Sequence, residues 1–66
     1  MRAKPRIGDR VRITGPLDDH DPLPVGHTGT VYWVGAWASL FDKRCSVRWD
    51  GGRDLGLLSS DPFRVL

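Results

Sequence analysis

The chain contains no glutamate, glutamine or asparagine, and only three alanines among its 66 residues. Alanine, glutamate and glutamine are strong helix formers. All eight acidic residues are aspartate, which favours caps and turns over helix interiors. Eight glycines and five prolines interrupt the chain every few residues. The composition therefore argues against a helical domain and predicts short strands joined by tight turns.

Cysteine and long apolar runs are also scarce. Cys45 is the single cysteine, which excludes an internal disulfide and a disulfide-stabilised secreted scaffold. No segment approaches the ~20 apolar residues that span a bilayer, and no apolar segment of the kind found in signal peptides follows the basic start MRAKPR. We expect a soluble, cytoplasmic protein with no membrane partner.

The length of the chain limits what kind of site it can hold. A domain of this size buries only about 60% of its unfolded surface, so its core is thin. An enclosed active site would remove core that the fold needs. We therefore expect no enzyme activity, no cofactor and no small-molecule substrate.

Alternation of apolar and polar residues predicts a five-stranded fold. Residues 1–7 are expected to form a basic, loose N-terminal arm, and residues 8–66 a single domain. The expected strands lie within 8–14, 29–34, 44–49, 55–58 and 63–66. Closure of such strands removes exposed sheet edges. The predicted fold is an all-β, SH3-like barrel with a long first loop at 15–27 and a short helical or irregular insertion at 35–43.

The same alternation predicts which side chains form the core. Val11 and Ile13 on the first strand should face inward, as should Cys45, Val47 and Trp49 on the third. Phe63 and Val65 are expected to face inward from the last strand. Val31 should face inward and Tyr32 outward. A bulge near Trp33 would let that residue and Val34 both reach apolar surroundings.

Glycines mark the expected turns. Gly26 and Gly29 should supply a tight bend and a position that needs a positive φ or close packing. Trp49 should anchor a hairpin whose tip contains Gly51 and Gly52. Asp50 is expected to pair with Arg53 or to cap the turn, so the segment VRWDGGRDLGLL is interpreted as mainly architectural.

Four segments carry a likeness to a known family: GDRV at 8–11, PVGHTGTV at 24–31, VRWDGGRDLGL at 47–57 and DPFRV at 61–65. Together they resemble an uncharacterised domain-of-unknown-function family of bacteria, their phages and mobile elements. The glycine–valine element at 26–31 is also similar to KOW-type modules, which bind RNA, DNA or protein. The resemblance implies an SH3-like fold and no catalytic residues. With eight arginines to two lysines, it also implies a phage or mobile-element protein in the cytoplasm of a high-GC bacterial host.

An arginine-rich strand face is one candidate binding surface. Arg10, Arg12, Arg44 and Arg48 should point to solvent beside Tyr32. Arginines next to an exposed aromatic ring are typical of small barrels that hold single-stranded nucleic acid. The alternative interpretation is a solvated surface whose charges are balanced by nearby aspartates.

An apolar segment is the other candidate. Trp37, Leu40 and Phe41 lie at spacings i, i+3 and i+4, which could form one face of a helical turn. They would either close one end of the barrel or contact a host protein or a second copy of the chain.

Three further features are candidates for chemical sites. The segment DDHD at 18–21 is interpreted as a solvated acidic turn because the chain holds no second ligand cluster. His27 is expected to be an exposed loop residue, and Cys45 a core residue with no general base nearby. The favoured function is therefore a non-catalytic module that contacts a protein or self-associates. Binding of nucleic acid through the arginine face is the alternative.

Overall fold

A computed structural model describes residues 4–17, 22–36 and 44–66 and shows one antiparallel sheet. Its strands are β1 (Arg10–Ile13), β2 (Thr28–Val34), β3 (Arg44–Trp49), β4 (Asp54–Leu58) and β5 (Phe63–Val65). None of these described residues is helical, which confirms the all-β prediction. A helix with the length and apolarity to cross a membrane is likewise not found among them.

The strands follow the order β4-β3-β2-β1-β5. The first four form a meander, and β5 returns to pair with β1 on its free side. β4 and β5 therefore lie at opposite edges, and the expected closure into a barrel is not formed by the described strands. β5 has only three residues, and all three pair with β1. The predicted insertion at 35–43 lies mostly outside the described residues, since 37–43 are not among them.

The core lies on one face of the sheet, which we call the inner face. The buried apolar side chains come from all five strands and from Leu23 in the first loop: Val11, Ile13, Leu23, Val31, Cys45, Val47, Trp49, Leu57 and Phe63. Full burial of side chains of this size stabilises the fold by about 1.5–3 kcal/mol each. The predicted inward residues of β1 and β3 are confirmed.

Burial fails at the edge of the sheet. Val65 lies opposite Val11, so it belongs to the inner face, yet it is 41% exposed. Val65 therefore faces inward as predicted, but it is not buried in the core. β5 is an edge strand of the sheet, and among the described residues no further strand lies beyond it to cover this side chain.

The N-terminal segment packs on the sheet from Pro5 onward, in contrast to the loose arm that the sequence predicts. The Pro5 side chain is fully buried. The Gly8 N–H donates a hydrogen bond to the Val31 carbonyl at 2.8 Å, and the Val31 N–H donates to the Asp9 carbonyl at 2.9 Å. These bonds tie the chain before β1 to the middle of β2.

A β-bulge interrupts the pairing of β2 with β3. Val31 pairs with Val47, but the next pair is Trp33 with Ser46, so Tyr32 is an extra residue on β2. A bulge is therefore present near Trp33, but it lets only Val34 pack against the core; the expectation that Trp33 also reaches apolar surroundings is wrong. The consequence of the bulge is that Tyr32 and Trp33, although consecutive, both point away from the core and are 42% and 43% exposed.

Two glycine positions are required by geometry. Gly26 has a φ of 92°, and its N–H donates to the Ile13 carbonyl at 2.8 Å. At Gly29 a Cβ atom would lie 2.7 Å from a methyl carbon of Val47 and 2.8 Å from the Trp49 ring. The first glycine thus permits a left-handed turn and the second permits close packing, as predicted.

Candidate nucleic-acid interface

The face opposite the core, which we call the outer face, is strongly basic. The five strands contain six charged residues, of which five are arginine and one is Asp54. All of these residues are exposed: Arg10, Arg12, Arg44, Arg48, Asp54 and Arg64. Strand alternation places them there, because along each strand they stand next to apolar side chains that are buried or half-buried.

Cross-strand pairing arranges four of the five strand arginines in two rows, and the fifth, Arg44, lies opposite Leu58. Arg10 on β1 pairs with Thr30 on β2, which in turn pairs with Arg48 on β3. Arg12 pairs with Arg64 on one side and with Thr28 on the other. A continuous face made by the arginines of β1 and β3 would need these strands to be neighbours, but β2 lies between them. The two arginine strands are therefore separated by two strand spacings of about 4.8 Å.

Arg10 is held by an acidic partner. Its Nη1 and Nη2 atoms donate to the two carboxylate oxygens of Asp50 at 2.9 and 2.6 Å. Arg10 also donates to the hydroxyls of Thr28 and Thr30. The hydrogen bond from Arg10 lowers the pKa of Asp50 well below its usual range, with a further contribution from Thr28. The same pairing raises the pKa of Arg10.

The partner of Asp50 corrects a sequence prediction. Asp50 was expected to pair with Arg53 or to cap its own turn, but its carboxylate contacts β1 and β2 instead. The turn is closed by its backbone: the Trp49 N–H donates to the Arg53 carbonyl at 2.7 Å, and Gly51 and Gly52 have φ values of 100° and 97°. Asp50 therefore fastens the hairpin across the sheet.

His27 belongs to the same cluster. Its Nε2 atom lies 2.7 Å from the Asp50 carbonyl oxygen, and a carbonyl can only accept, so Nε2 carries the proton. The His27 ring centroid lies 6.0 Å from that of Trp49. His27 lies in a loop, as predicted, but it is half-buried and not exposed as expected. Its role here is to brace the hairpin.

Tyr32 is also engaged. Its hydroxyl lies 2.8 Å from both oxygens of the Asp54 carboxylate and donates to it, which raises the pKa of the tyrosine. The Arg48 guanidinium carbon lies 5.1 Å from the centroid of the Tyr32 ring. The predicted neighbours, Tyr32 and Arg48, are therefore brought together, but Asp54 offsets part of their positive charge.

Trp33 borders an open groove on the outer face. The guanidinium carbon of Arg44 lies 5.8 Å from its ring centroid, within the range of a cation–π contact. Beside this pair is a shallow groove of about 480 Å³, whose lining also includes Ser46, Gly56 and Leu58. Leu58 is 53% exposed. An aromatic wall, an arginine and an apolar wall therefore meet at one place on the outer face.

Three residues of this surface were not recognised in the sequence. Arg64 follows the inward-facing Phe63 in β5, so the alternation of the strand could have predicted that it points to solvent. Gly56 lies opposite Ser46, and Leu58 lies opposite Arg44. Their contribution depends on the register of β4 with β3, for which the local sequence carries no signal.

The remaining predicted sites lie elsewhere. The protein-contact residues Trp37, Leu40 and Phe41 and the acidic segment 18–21 are outside the described residues. Within 4–17, 22–36 and 44–66, no three histidine, cysteine or acidic side chains gather as metal ligands. Cys45 is buried, and burial raises the pKa of its thiol.

Comparison with known proteins finds no matching protein family, no matching characterised protein and no matching solved structure.

Proposed function

We propose that the protein is a small, non-catalytic module that binds single-stranded nucleic acid on its outer face. The observation that carries this proposal is the composition of the strands, in which five exposed arginines accompany one aspartate. Two exposed aromatic residues, Tyr32 and Trp33, lie among them. Phosphate contacts from arginine combined with base stacking on aromatic rings are how small β-domains hold single strands.

The ion pair and the tyrosine contact define which arginines are available. Arg10 is occupied by Asp50. Arg12 and Arg64 pair across β1 and β5 and form no ion pair with any residue in the described part of the chain. With Arg44 and Arg48, they make four candidate phosphate ligands. Four contacts to a single strand give a slope of roughly −3 for log affinity against log salt.

The fold supports a related proposal about architecture and origin. The meander of β1 to β4 and the return of β5 to β1 support an SH3-like arrangement, which we propose for the domain. The resemblance in sequence likewise leads us to propose an origin in a phage or mobile element and a place in the host cytoplasm. That the protein has no enzyme activity stays a prediction.

Fluorescence anisotropy of a labelled oligothymidylate tests the function directly. We expect binding at low salt that weakens steeply as salt rises, and loss of binding in the double variant Arg12→Ala/Arg48→Ala. Arg6→Ala is the control, because Arg6 borders a separate hollow beside Val34 on the core side. The proposal would be overturned if the oligothymidylate did not bind at low salt, or if a labelled acidic peptide bound with equal affinity.

The protein-contact prediction is an outcome of a parallel measurement. Light scattering at several concentrations reports whether the chain self-associates. If a dimer forms and Trp37→Ala dissociates it while the variant keeps its thermal stability, the apolar segment is an interface. Nucleic-acid binding that survives Trp37→Ala would then assign the two activities to different surfaces.

A further inference from the structure

The outer-face groove at Trp33 has a shape that points to a particular part of a nucleic acid. We propose that this groove takes one unpaired nucleobase, so that the protein selects single strands over duplexes. The inference rests on the proposed function and assigns the base-binding element within it.

The groove is a product of the bulge and of one glycine. The bulge brings Trp33 to the outer face, where it pairs with Ser46, and Ser46 pairs with Gly56 on β4. Along this row, side-chain size decreases from Trp33 on β2 through Ser46 on β3 to Gly56 on β4, which has no side chain. In the next row, Leu58 lies opposite Arg44. The result is a floor of Ser46 and Gly56 between an indole ring and an exposed leucine.

The chemistry of the lining fits a base better than an acidic peptide. The Trp33 ring and the Arg44 guanidinium are both planar groups on which bases stack. The Ser46 hydroxyl on the floor can donate or accept a hydrogen bond with a base edge. Arg48, two residues along β3 from Ser46, is positioned for a neighbouring phosphate. A carboxylate side chain could pair with the arginines but could not stack on the Trp33 ring and the Arg44 guanidinium that lies over it.

A paired base cannot use such a groove, because its faces are covered by its neighbours in the stack. An unpaired base in a flexible strand can turn out at little cost. The volume of about 480 Å³ lies within the range of small-ligand pockets, and the groove is partly open to solvent. Such an opening is what a base needs when it stays joined to its strand.

The test uses three probes with equal numbers of phosphates: an oligothymidylate, a strand of abasic sites and a duplex. We expect the oligothymidylate to bind about tenfold more tightly than the abasic strand, which corresponds to the stacking of one base. We also expect the oligothymidylate to bind more tightly than the duplex. Comparison of the first two probes isolates the base from the phosphate contribution.

Two variants remove the groove in different ways. Trp33→Ala removes the stacking wall, and Gly56→Leu fills the floor without replacing any other residue of the lining. Each should bring the ratio of oligothymidylate to abasic affinity close to one. Ser60→Leu adds the same side chain at an exposed turn outside the groove and should keep the ratio of the natural protein. Circular dichroism tests whether each variant is folded. Because the two variants alter the groove in different ways, the same loss in both would point to the groove itself.

The outcomes separate this inference from the function on which it rests. If both groove variants keep the tenfold ratio, the groove proposal is overturned while salt-dependent binding through Arg12 and Arg48 stands. Equal affinity of the natural protein for the oligothymidylate and the abasic strand has the same meaning. If none of the three probes binds at low salt, both proposals fail.

Discussion

Trp33 and Trp49 lie on neighbouring strands of the same sheet, and their surroundings are opposite. Trp49 is 1% exposed, and its indole N–H donates to the Leu55 carbonyl at 3.0 Å. Trp33 is 43% exposed, with the Arg44 guanidinium over its ring. The same side chain thus completes the core in one place and forms the wall of a groove in the other.

The difference comes from a single extra residue. Trp49 follows the regular alternation of β3, in which every second side chain is buried. Trp33 would alternate with Val31 in the same way, but the bulge at Tyr32 reverses its direction. One inserted residue therefore moves an aromatic side chain from the core to the surface. Four predictions test how far the two faces differ, beginning with the largest effect.

Trp49→Ala should unfold the protein. Removal of a buried indole costs about 3–5 kcal/mol, which is comparable with the whole free energy of unfolding of a small domain. Far-ultraviolet circular dichroism and a urea titration measure the loss. Trp33→Ala is the matched change on the outer face and should alter the free energy of unfolding by only about 0.5 kcal/mol. Equal losses in the two variants would contradict the assignment of faces.

Gly29→Ala should destabilise the fold by about 1–3 kcal/mol, because overpacking of a tight site forces its neighbours to move. The new Cβ would lie 2.9 Å from the Arg48 carbonyl oxygen as well as against Val47 and Trp49. Gly56→Ala is the control, since its Cβ meets only the Cys45 carbonyl, at 3.2 Å. Urea midpoints should rank Gly56→Ala well above Gly29→Ala, and the reverse order would show that the inner face is not tightly packed here.

The ion pair of Asp50 should make the free energy of unfolding depend on pH in the acidic range. Because the folded pKa of Asp50 lies below its unfolded value of about 3.9, its contribution is fully present above that pH. The contribution is lost as the pH falls through the folded pKa. Urea midpoints should therefore decrease in acid, and this decrease should be smaller in Asp50→Asn and in Arg10→Gln.

Arg12→Gln is the control for this prediction, because Arg12 lies on the same strand but does not contact Asp50. It should keep the acid dependence of the natural protein. Identical pH profiles for Asp50→Asn and the natural protein would mean that the Arg10–Asp50 pair does not couple the hairpin to β1.

The smallest effect concerns Tyr32, the single tyrosine of the chain. Its raised pKa means that its contribution to stability is present below about pH 10 and is lost as the pH rises through the folded pKa. Ultraviolet absorbance of the tyrosinate follows the titration. Asp54→Asn should lower the pKa toward its usual value, and Asp9→Asn, which removes a carboxylate elsewhere, should leave it in place.

Much of the inner face could be predicted from local sequence. Alternation in β1 and β3 is regular, and Val11, Ile13, Val47 and Trp49 are buried as it indicates. The exposure of Val65 could not be predicted in this way, because alternation indicates the side to which a residue points but does not tell whether another strand covers it. The bulge was anticipated near Trp33, yet its outcome, an exposed indole, depends on the register with β3.

The candidate site was predicted less completely. The exposure of Arg10, Arg12, Arg44 and Arg48 follows from alternation alone. The occupation of Arg10 by Asp50, forty residues later, does not. Nor does the groove, whose floor exists because Gly56 lies opposite Ser46. Strand order and register bring such residues together, and both are properties of the assembled sheet.

The amino-acid sequence by itself determined that this chain forms short strands, which side of each strand is apolar, and that arginine covers the other side. These properties depend on neighbours within a few residues, where the steric period of an extended backbone acts. The tertiary structure alone decided that β2 separates the two arginine strands, that Asp50 binds Arg10, and that Trp33 borders a groove. Those contacts join residues distant along the chain, and their formation depends on which pairing buries the most apolar surface.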